Sequence, residues 1–469
     1  MTYQYFQFIA ERDGIGKSIE AAISAEQGSE CYRAAQVAED YFNKRNRTIM
    51  EFRKMLNTVS GGKIEDIYSA NYKVRTLWYR LGVTQILNYL LGNGVDFDTD
   101  IKDELGRKFD TVVYEAAKGA ANHGRCFTFW NQDHAEVFRY LNTATGAGFV
   151  PLYDKASGVL IAGIRYWYEA DEESGGKSYL ACTLYEGDGF TDFDTDRTSK
   201  ELYIANEKRG YIATTSTNGL GVSSTVYSNP DSFPIKELYF NAEKMPLLVG
   251  HRETIDTHDL MLNGFANTVD DTAEIFWVLK SFGGEGGELD LAKVRSHLKR
   301  LHMASINADG EGIEPHTISI PTEAREAVLN RLRKAFFEGF MLADMDSLSA
   351  AQKTTQEIQA AFTAQDNFAS ELEFAIIDHI QDVLAVAGMD GEPSFRRNRI
   401  QNITEAVQAV AIEAQYLPPD MIPKLLPNLT PEQAAEAAQY MLDMDASRLV
   451  NTSAEGGTEG ESAPGVGDE

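Results

Sequence analysis

Glu253 to Phe276 reads ETIDTHDLMLNGFANTVDDTAEIF, and no Lys or Arg occurs between Arg252 and Lys280. Ile255, Leu262, Phe265, Val269, Ala273 and Phe276 recur at helical spacing, which predicts one amphipathic helix over the stretch. Asp256, Asp259, Asn263, Asn267, Asp270 and Glu274 form a second stripe. Like charges four residues apart cost roughly a few tenths of a kcal/mol each, so such a helix is poor in isolation. The pattern suits a helix whose apolar edge packs on a neighbour while its acidic edge faces water. The lumen of a ring is one such setting.

Downstream, Gly283-Gly284-Glu285-Gly286-Gly287 predicts a flexible break, and Lys293, Arg295, Lys299 and Arg300 then reverse the local charge. Pro321 suits the first turn of a helix over Thr322–Phe340, which carries Arg325, Arg331, Arg333 and Lys334. Asp344 to Ser349 interrupts the pattern. A long helix is expected over Ala350–Ala387, with Ile358, Phe362, Phe368, Leu372, Ile376 and Ile380 on its apolar face. Pro393 separates it from a helical unit at Asn402–Leu449 that holds a Pro-punctuated turn, Leu417 to Pro431. Beyond Val450 the chain is rich in Gly, Ser and Glu, with Glu455, Glu459, Glu461, Asp468 and Glu469 and no base, and is expected to be disordered.

Upstream, apolar spacing predicts helices over Ala34–Leu56, Ser69–Leu91 and Lys108–Asn122, the second stopped by Gly92-Asn93-Gly94. From Arg125 the period becomes two. Cys126–Trp130, Gly148–Tyr153, Val159–Tyr168, Ser178–Tyr185 and Glu201–Ile204 read as short strands separated by turn signals, an antiparallel meander. Tyr211–Phe233 reads as a long surface loop and Ile235–Phe240 as a last strand.

At 469 residues, two to four domains are expected. Acids outnumber bases by 71 to 43, a formal charge of −28, which excludes a protein that grips nucleic acid through phosphates. It suits a surface past which a polyanion slides, and equally an ordinary soluble acidic protein. Cys31, Cys126 and Cys182 are far apart and odd in number, so neither a disulfide framework nor a metal site follows, and a reducing compartment is expected. The N-terminus lacks a basic region followed by a long apolar core, so no signal peptide is expected there. No apolar run approaches the ~18 residues of a membrane span, and a soluble chain is expected.

Little catalytic chemistry survives inspection. Asp13-Gly14-Ile15-Gly16-Lys17-Ser18, after a strand-like start, resembles a phosphate-binding loop, but Glu11 stands where the upstream glycine is needed. Asp96–Asp100 and Asp192–Asp196 each alternate three carboxylates. Their sixth positions (Ile101, Arg197) and twelfth positions (Arg107, Tyr203) fail the calcium-loop pattern, so acidic turns are expected. His251, His258, His297, His302 and His316 make no metal-binding pair on one helical face, and no nucleophile elbow occurs. Tyr166, Trp167 and Tyr168 could stack bases, but alternating burial in a meander explains them more simply.

The order of these segments resembles the portal proteins of tailed bacteriophages, in particular those of long-tailed phages infecting Gram-positive hosts. The resemblance spans Ala38 to Tyr440. It rests on the Tyr-rich stretch Tyr41–Phe52, Asn88-Tyr89-Leu90-Leu91-Gly92, Gly124–Trp130, Val150-Pro151-Leu152-Tyr153-Asp154 and Ile161–Tyr168. Its strongest part is Ile255-Asp256-Thr257-His258-Asp259 through Trp277-Val278-Leu279-Lys280, followed by Phe395-Arg396-Arg397-Asn398 with Asn402 and Glu405. Where the family often has Ser-Gly-x-Ala-Leu-Lys, this chain has Ser349-Ala350-Ala351-Gln352-Lys353, which leaves the tunnel-loop register open by several residues.

The resemblance implies an α+β, multi-domain ring subunit with an α/β wing (1–250), stem helices at 251–279 and 321–341, and a small α/β clip (280–320). A tunnel loop and long wing helix (342–390), a helical crown (391–449) and the acidic tail (450–469) complete it. Asp256, Asp259, Asn263, Asn267, Asp270 and Glu274 would line the DNA channel. Asp344, Asp346, Ser347, Ser349 and Lys353 would form the tunnel loop, and Lys293, Arg295, Lys299 and Arg300 would dock partners. The implied protein is no enzyme and needs no cofactor or metal. It forms a ring, usually a dodecamer, at one capsid vertex of the virion, assembled in the host cytoplasm. Its implied partners are the terminase large subunit, a head-completion adaptor, the major capsid and scaffolding proteins, and double-stranded DNA passing without sequence specificity, with no membrane. The alternatives are a metal- or nucleotide-dependent enzyme using Asp192–Asp196 or Gly16–Ser18, or a different ring-forming capsid or tail connector.

Overall fold

A computed structural model describes residues 1–57, 62–66, 69–98, 101–171, 176–217, 223–273, 276–280, 312–316, 322–344, 355–398, 410–412, 414–426, 429 and 433–444. It is a mixed α and β fold in two compact units, Met1–Asp344 with Ala364–Arg397, and Met345–Thr363 with Asn398–Glu469.

The first unit begins with α1 (Tyr3–Asp13), α2 (Ile15–Gln27), α3 (Glu30–Phe42), α4 (Arg47–Glu51), β1 (Met55–Asn57) and β2 (Lys63–Glu65). Then come α5 (Trp78–Leu91), β3 (Asp96–Phe97), α6 (Lys102–Leu105) and α7 (Phe109–His123). Strands follow: β4 (Cys126–Asn131), β5 (His134–Arg139), β6 (Gly148–Tyr153), β7 (Leu160–Asp171), β8 (Lys177–Glu186), β9 (Gly189–Thr195), β10 (Leu202–Arg209), β11 (Ile212–Thr217), β12 (Ser223–Ser228) and β13 (Ile235–Leu238). The chain continues through α8 (Arg252–Ala273), β14 (Phe276–Lys280), β15 (Gly312–His316), α9 (Thr322–Gly339), α10 (Thr355–Ala387, in this unit from Ala364) and β16 (Pro393–Ser394).

Strands β6 to β10 form an antiparallel meander in the order β10-β9-β8-β7-β6. Because successive side chains point to opposite faces, Val150, Leu152, Ala162, Ile164, Cys182 and Leu184 share one face. There they pack on Phe6, Ile19, Ala22 and Ile23 of the α1–α2 hairpin. Phe149 and Tyr185 share the other face and meet Phe127, Phe129, Phe138 and Ile235 of a second sheet, ordered β13-β4-β5. Gly163 makes this possible: a Cβ there would sit 2.1 Å from the Phe149 ring. Gly124, at φ 82, ends α7 in the left-handed region, where a Cβ would strike the Lys244 carbonyl oxygen at 2.2 Å.

Several elements differ from their sequence expectations. The single helix expected over 34–56 is broken between α3 and α4, where Lys44 adopts φ 60 and Arg45 and Arg47 both bind Asp40, at 3.1 and 2.7 Å. Residues 70–77 are not helical, for a reason given below. The expected loop at 211–233 contains the β11–β12 hairpin, paired from Ile212↔Ser228 to Thr217↔Ser223. Its cross-strand Thr215–Thr225 and Ser216–Ser224 hydroxyl bonds of 3.0 and 3.1 Å explain why a Ser/Thr run forms strands. Asp192 and Asp194 lie in β9, not in a turn, and residues 3–13 are helix rather than strand. The helix expected to reach Phe276 stops at Ala273, and the aromatic, β-branched run Phe276-Trp277-Val278-Leu279 instead pairs with 312–316.

In the second unit α11 (Ile422–Leu425) lies within the expected turn, and 433–444 is helical with Ala434 and Ala438 buried four residues apart. The tail after Val450 lies outside the described residues.

Candidate functional site: the polar face of the central helix

On α8, Asp259, Asn263 and Asn267 are spaced by four residues, about 6.0 Å along the axis. Alternate residues of an extended chain are about 6.6–6.8 Å apart. The two spacings nearly coincide, and the chain uses the coincidence. Asn267 Oδ1 accepts from the Tyr72 N–H at 2.7 Å, Asn263 Oδ1 from Val74 N–H at 2.6 Å, and Asp259 Oδ1 from Thr76 N–H at 3.1 Å. The Asn263 amide also donates to the Val74 carbonyl at 2.6 Å, so one side chain copies both bonds of a strand partner. Residues 72–76 therefore lie along α8 with alternate backbone N–H groups taken up by helix side chains.

The second oxygen of Asp259 accepts from Asn46 Nδ2 at 2.5 Å, and that amide also reaches the Thr76 carbonyl at 3.2 Å. Asp256 accepts from the Tyr41 hydroxyl and from Thr48 Oγ1 at 2.7 Å, and Arg252 Nε lies 3.3 Å away. Burial, reinforced by the carboxylate it donates to, pushes the Tyr41 hydroxyl pKa upward. Asp259 is fully buried, and Asn263 and Asn267 are 2% exposed.

The expected water-facing edge is thus corrected at Asp259, Asn263 and Asn267, which face the chain's own backbone. Asp256 is largely enclosed, whereas Asp270 is exposed. Glu274 lies outside the described residues. The sequence reading missed Tyr41, Asn46, Thr48 and residues 72–76. One signal was available: two of the three inward positions are amides, which are poor interior helix formers and good backbone partners.

The other side of α8 meets α9. Arg325 Nη1 donates to Thr268 Oγ1 at 3.0 Å, and its guanidinium lies over the Phe265 ring at 5.7 Å. An aromatic column locks the base of this pair: His258 on Trp78 at 3.9 Å between centroids, Trp78 on Phe336 at 5.1 Å, and Phe336 on Phe340 at 5.0 Å. Further along, Val269 and Val328 are 47% and 42% exposed.

Of the tunnel-loop residues, Asp344 is bound by Arg333 at 3.0 Å. Asp346, Ser347, Ser349 and Lys353 lie outside the described residues, as do Lys293, Arg295, Lys299 and Arg300. Three of the residues that suggested an enzyme, Ser18, Asp192 and Asp196, have partners within the fold. Ser18 is buried and donates to the Phe6 carbonyl at 2.7 Å. Asp192 accepts from Thr183 Oγ1 and Arg209 Nη2, both at 2.7 Å, and Asp196 accepts from the Thr198 and Ser199 N–H groups. Among the described residues no three His, Cys, Asp or Glu side chains gather to hold a metal, and no helix is long and apolar enough to cross a membrane.

Arg397, from the late Phe-x-Arg-Asn element, acts as a lock. It binds Asp366 at 3.1 Å, Glu373 at 2.7 Å and Ser370 at 2.8 Å, while the Tyr89 hydroxyl donates to the same Asp366 at 2.5 Å.

The family model described as phage portal protein, SPP1 Gp6-like, matches residues 26–448. The portal protein of Clostridium phage phiCD119 is 25% identical over 347 residues, covering 69% of this chain and 71% of that relative. The portal protein of Bacillus phage SPP1 is 22% identical over 324 residues, covering 66% of this chain and 59% of that relative. Among solved structures, a chain of the virion of a native gene transfer agent particle aligns at TM-score 0.40 and 11% identity, over 74% of this chain and 89% of that one. A chain from the neck of the native particle, computed with C12 symmetry, aligns at TM-score 0.36 and 11% identity, over 76% and 90%.

Proposed function

Because this chain belongs to the family of SPP1 Gp6-like phage portal proteins, we propose that it closes, in about twelve copies, into a ring at one capsid vertex. DNA enters through that ring during packaging and leaves through it on infection. The family match over 26–448 carries this reading.

The arrangement of the central helices supports it. α8 and α9 lie side by side and are joined through the β14–β15 ladder, which frames residues 281–311. In this reading α8 and α9 are stem helices and 280–320 is the clip. Residues 1–250 form the wing, 342–390 the tunnel loop and long wing helix, and 391–449 the crown. The exposed Val269 and Val328 are covered by the next subunit, since a heterologous contact repeated around an axis closes a ring.

The channel-lining role narrows to the carboxylates that α8 leaves in water, Asp270 above all, with Glu274 assigned from sequence. Lys293, Arg295, Lys299 and Arg300 dock the terminase large subunit and a head-completion adaptor through complementary charge. Asp344, Asp346, Ser347, Ser349 and Lys353 approach the DNA. Major capsid and scaffolding proteins surround the wing, and ATP hydrolysis belongs to the terminase.

Negative-stain images of the purified full chain test the ring; a solitary particle at micromolar concentration would end the proposal. Asp270→Lys tests the channel separately. Rings should form normally while packaging slows, because new phosphate contacts retard sliding. Packaging at the unaltered rate would remove Asp270 from the wall.

A further inference from the structure

Two clefts in the first unit meet at Phe138 and Arg165. One, of about 270 Å³, adjoins Trp167 and Asn142; the other, of about 330 Å³, reaches Phe190, Tyr211 and Tyr227. The larger has a floor of rings. Phe129, Phe138, Tyr185 and Tyr211 are each less than 8% exposed, and Tyr185 stacks on Tyr211 with an interplanar angle of 8°. Arg165 lies over the Phe138 ring at 4.3 Å, is exposed, and forms no ion pair among the described residues. That is unusual in a chain with 71 acids and 43 bases, where a surface guanidinium has many carboxylates to choose from. Arg209 adds a second guanidinium over Phe190 at 4.7 Å, held by Asp192. The cleft's carboxylate, Glu136, is engaged by Asn131 at 2.9 Å and His134 at 3.2 Å. Beside the groove, β12 is exposed along its length and pairs only with β11 among the described residues, which leaves backbone groups for an added strand.

We infer that the joined clefts are a groove for an extended acidic peptide segment of a partner protein, seating an apolar side chain on the ring floor and a carboxylate on Arg165. Charge complementarity selects this occupant: the groove joins an apolar floor to a cation that has no ion pair among the described residues.

The test uses the purified full chain and a fluorescein-labelled octapeptide alternating glutamate with leucine and phenylalanine, read by fluorescence anisotropy. Saturable binding is expected, weakened about tenfold by Arg165→Glu, less by Arg165→Lys, and about threefold by Tyr227→Ala. Arg12→Glu, a change of an exposed arginine already paired with Asp13, should leave it unaltered. Arg165 is exposed, so Arg165→Glu should unfold at the wild-type temperature. The inference is overturned if wild-type protein does not bind, if Arg165→Glu binds equally well, or if a lysine-for-glutamate peptide binds as tightly. Displacement of the peptide by stoichiometric adenosine monophosphate would make the groove a nucleotide site instead. Loss of rings in Arg165→Glu without any peptide binding would assign it to a second copy of this chain.

Discussion

Asp259 shows how a helix side chain can take up backbone groups of a distant segment. Its two oxygens satisfy Asn46 and the Thr76 N–H in a site closed to water. Asp259→Leu would leave the Thr76 N–H without an acceptor and the Asn46 amide with only the Thr76 carbonyl, at about 1–3 kcal/mol for each lost bond. We expect a loss of about 2–5 kcal/mol in urea unfolding followed by Trp78 fluorescence, with Asp259→Asn costing less because it keeps one acceptor. Wild-type stability for Asp259→Leu would mean that residues 72–76 find their partners elsewhere. Two buried histidines set the acid limit. Burial lowers His123 to about 3 and His379 to about 4. Both are neutral in the fold at pH 7 and cost nothing above the ordinary value of about 6.5. As pH falls below that value the unfolded chain takes up protons that the folded chain refuses, so stability drops, by about 1.4 kcal/mol per pH unit for each histidine. His379→Asn, which can still meet the Thr128 hydroxyl now 2.9 Å from the ring nitrogen, should make the slope between pH 6.5 and 4 shallower by one proton's worth. An unchanged slope would mean that His379 protonates within the fold.

At the scale of elements, legibility followed the source of each hydrogen bond. α7 and α9, whose backbone bonds are internal, were readable to within a residue or two from apolar spacing. Residues 70–77 were not, because their apolar spacing suits a helix while their N–H groups are claimed by side chains nearly 190 positions away. The same distance hides the site: Asp259 and Asn263 read as a solvated stripe because, the amides at Asn263 and Asn267 apart, nothing local shows that they are covered. Apolar spacing carries the helix on to Phe276, although the run that Phe276 begins has the character of a strand. The α8–α9 pair makes a direct prediction under the ring proposal. Val269→Asp with Val328→Asp changes two exposed positions, so the subunit should fold with its usual circular dichroism yet fail to close into rings in mass photometry. Normal rings would place the subunit contact elsewhere. Arg397→Ala should release the return segment from α10 and cost about 2–4 kcal/mol, since it takes the shared cation away from Asp366 and Glu373 in a partly enclosed site.

For the molecule as a whole, the acidity lies upstream of Val450. The five acids after Val450 are a small part of the net −28, so truncation there should leave ring assembly and the elution charge profile nearly unaltered. Loss of rings on truncation would give the tail a structural part. The joint between β14 and β15 has a broader consequence. Lys280 and Gly312 face each other as the last rung of a five-residue antiparallel ladder, and such partners have Cα atoms roughly 4.5–5.5 Å apart. Whatever length of polypeptide leaves at Lys280 must come back to the same spot, so the helices beneath never sense its size. Lineages could lengthen, shorten or exchange the intervening thirty-odd residues while the rest of the subunit stayed as it is. Under the docking proposal, swapping in a two-residue Asn-Gly hairpin should leave a soluble, folded protein that has lost only its appetite for those partners.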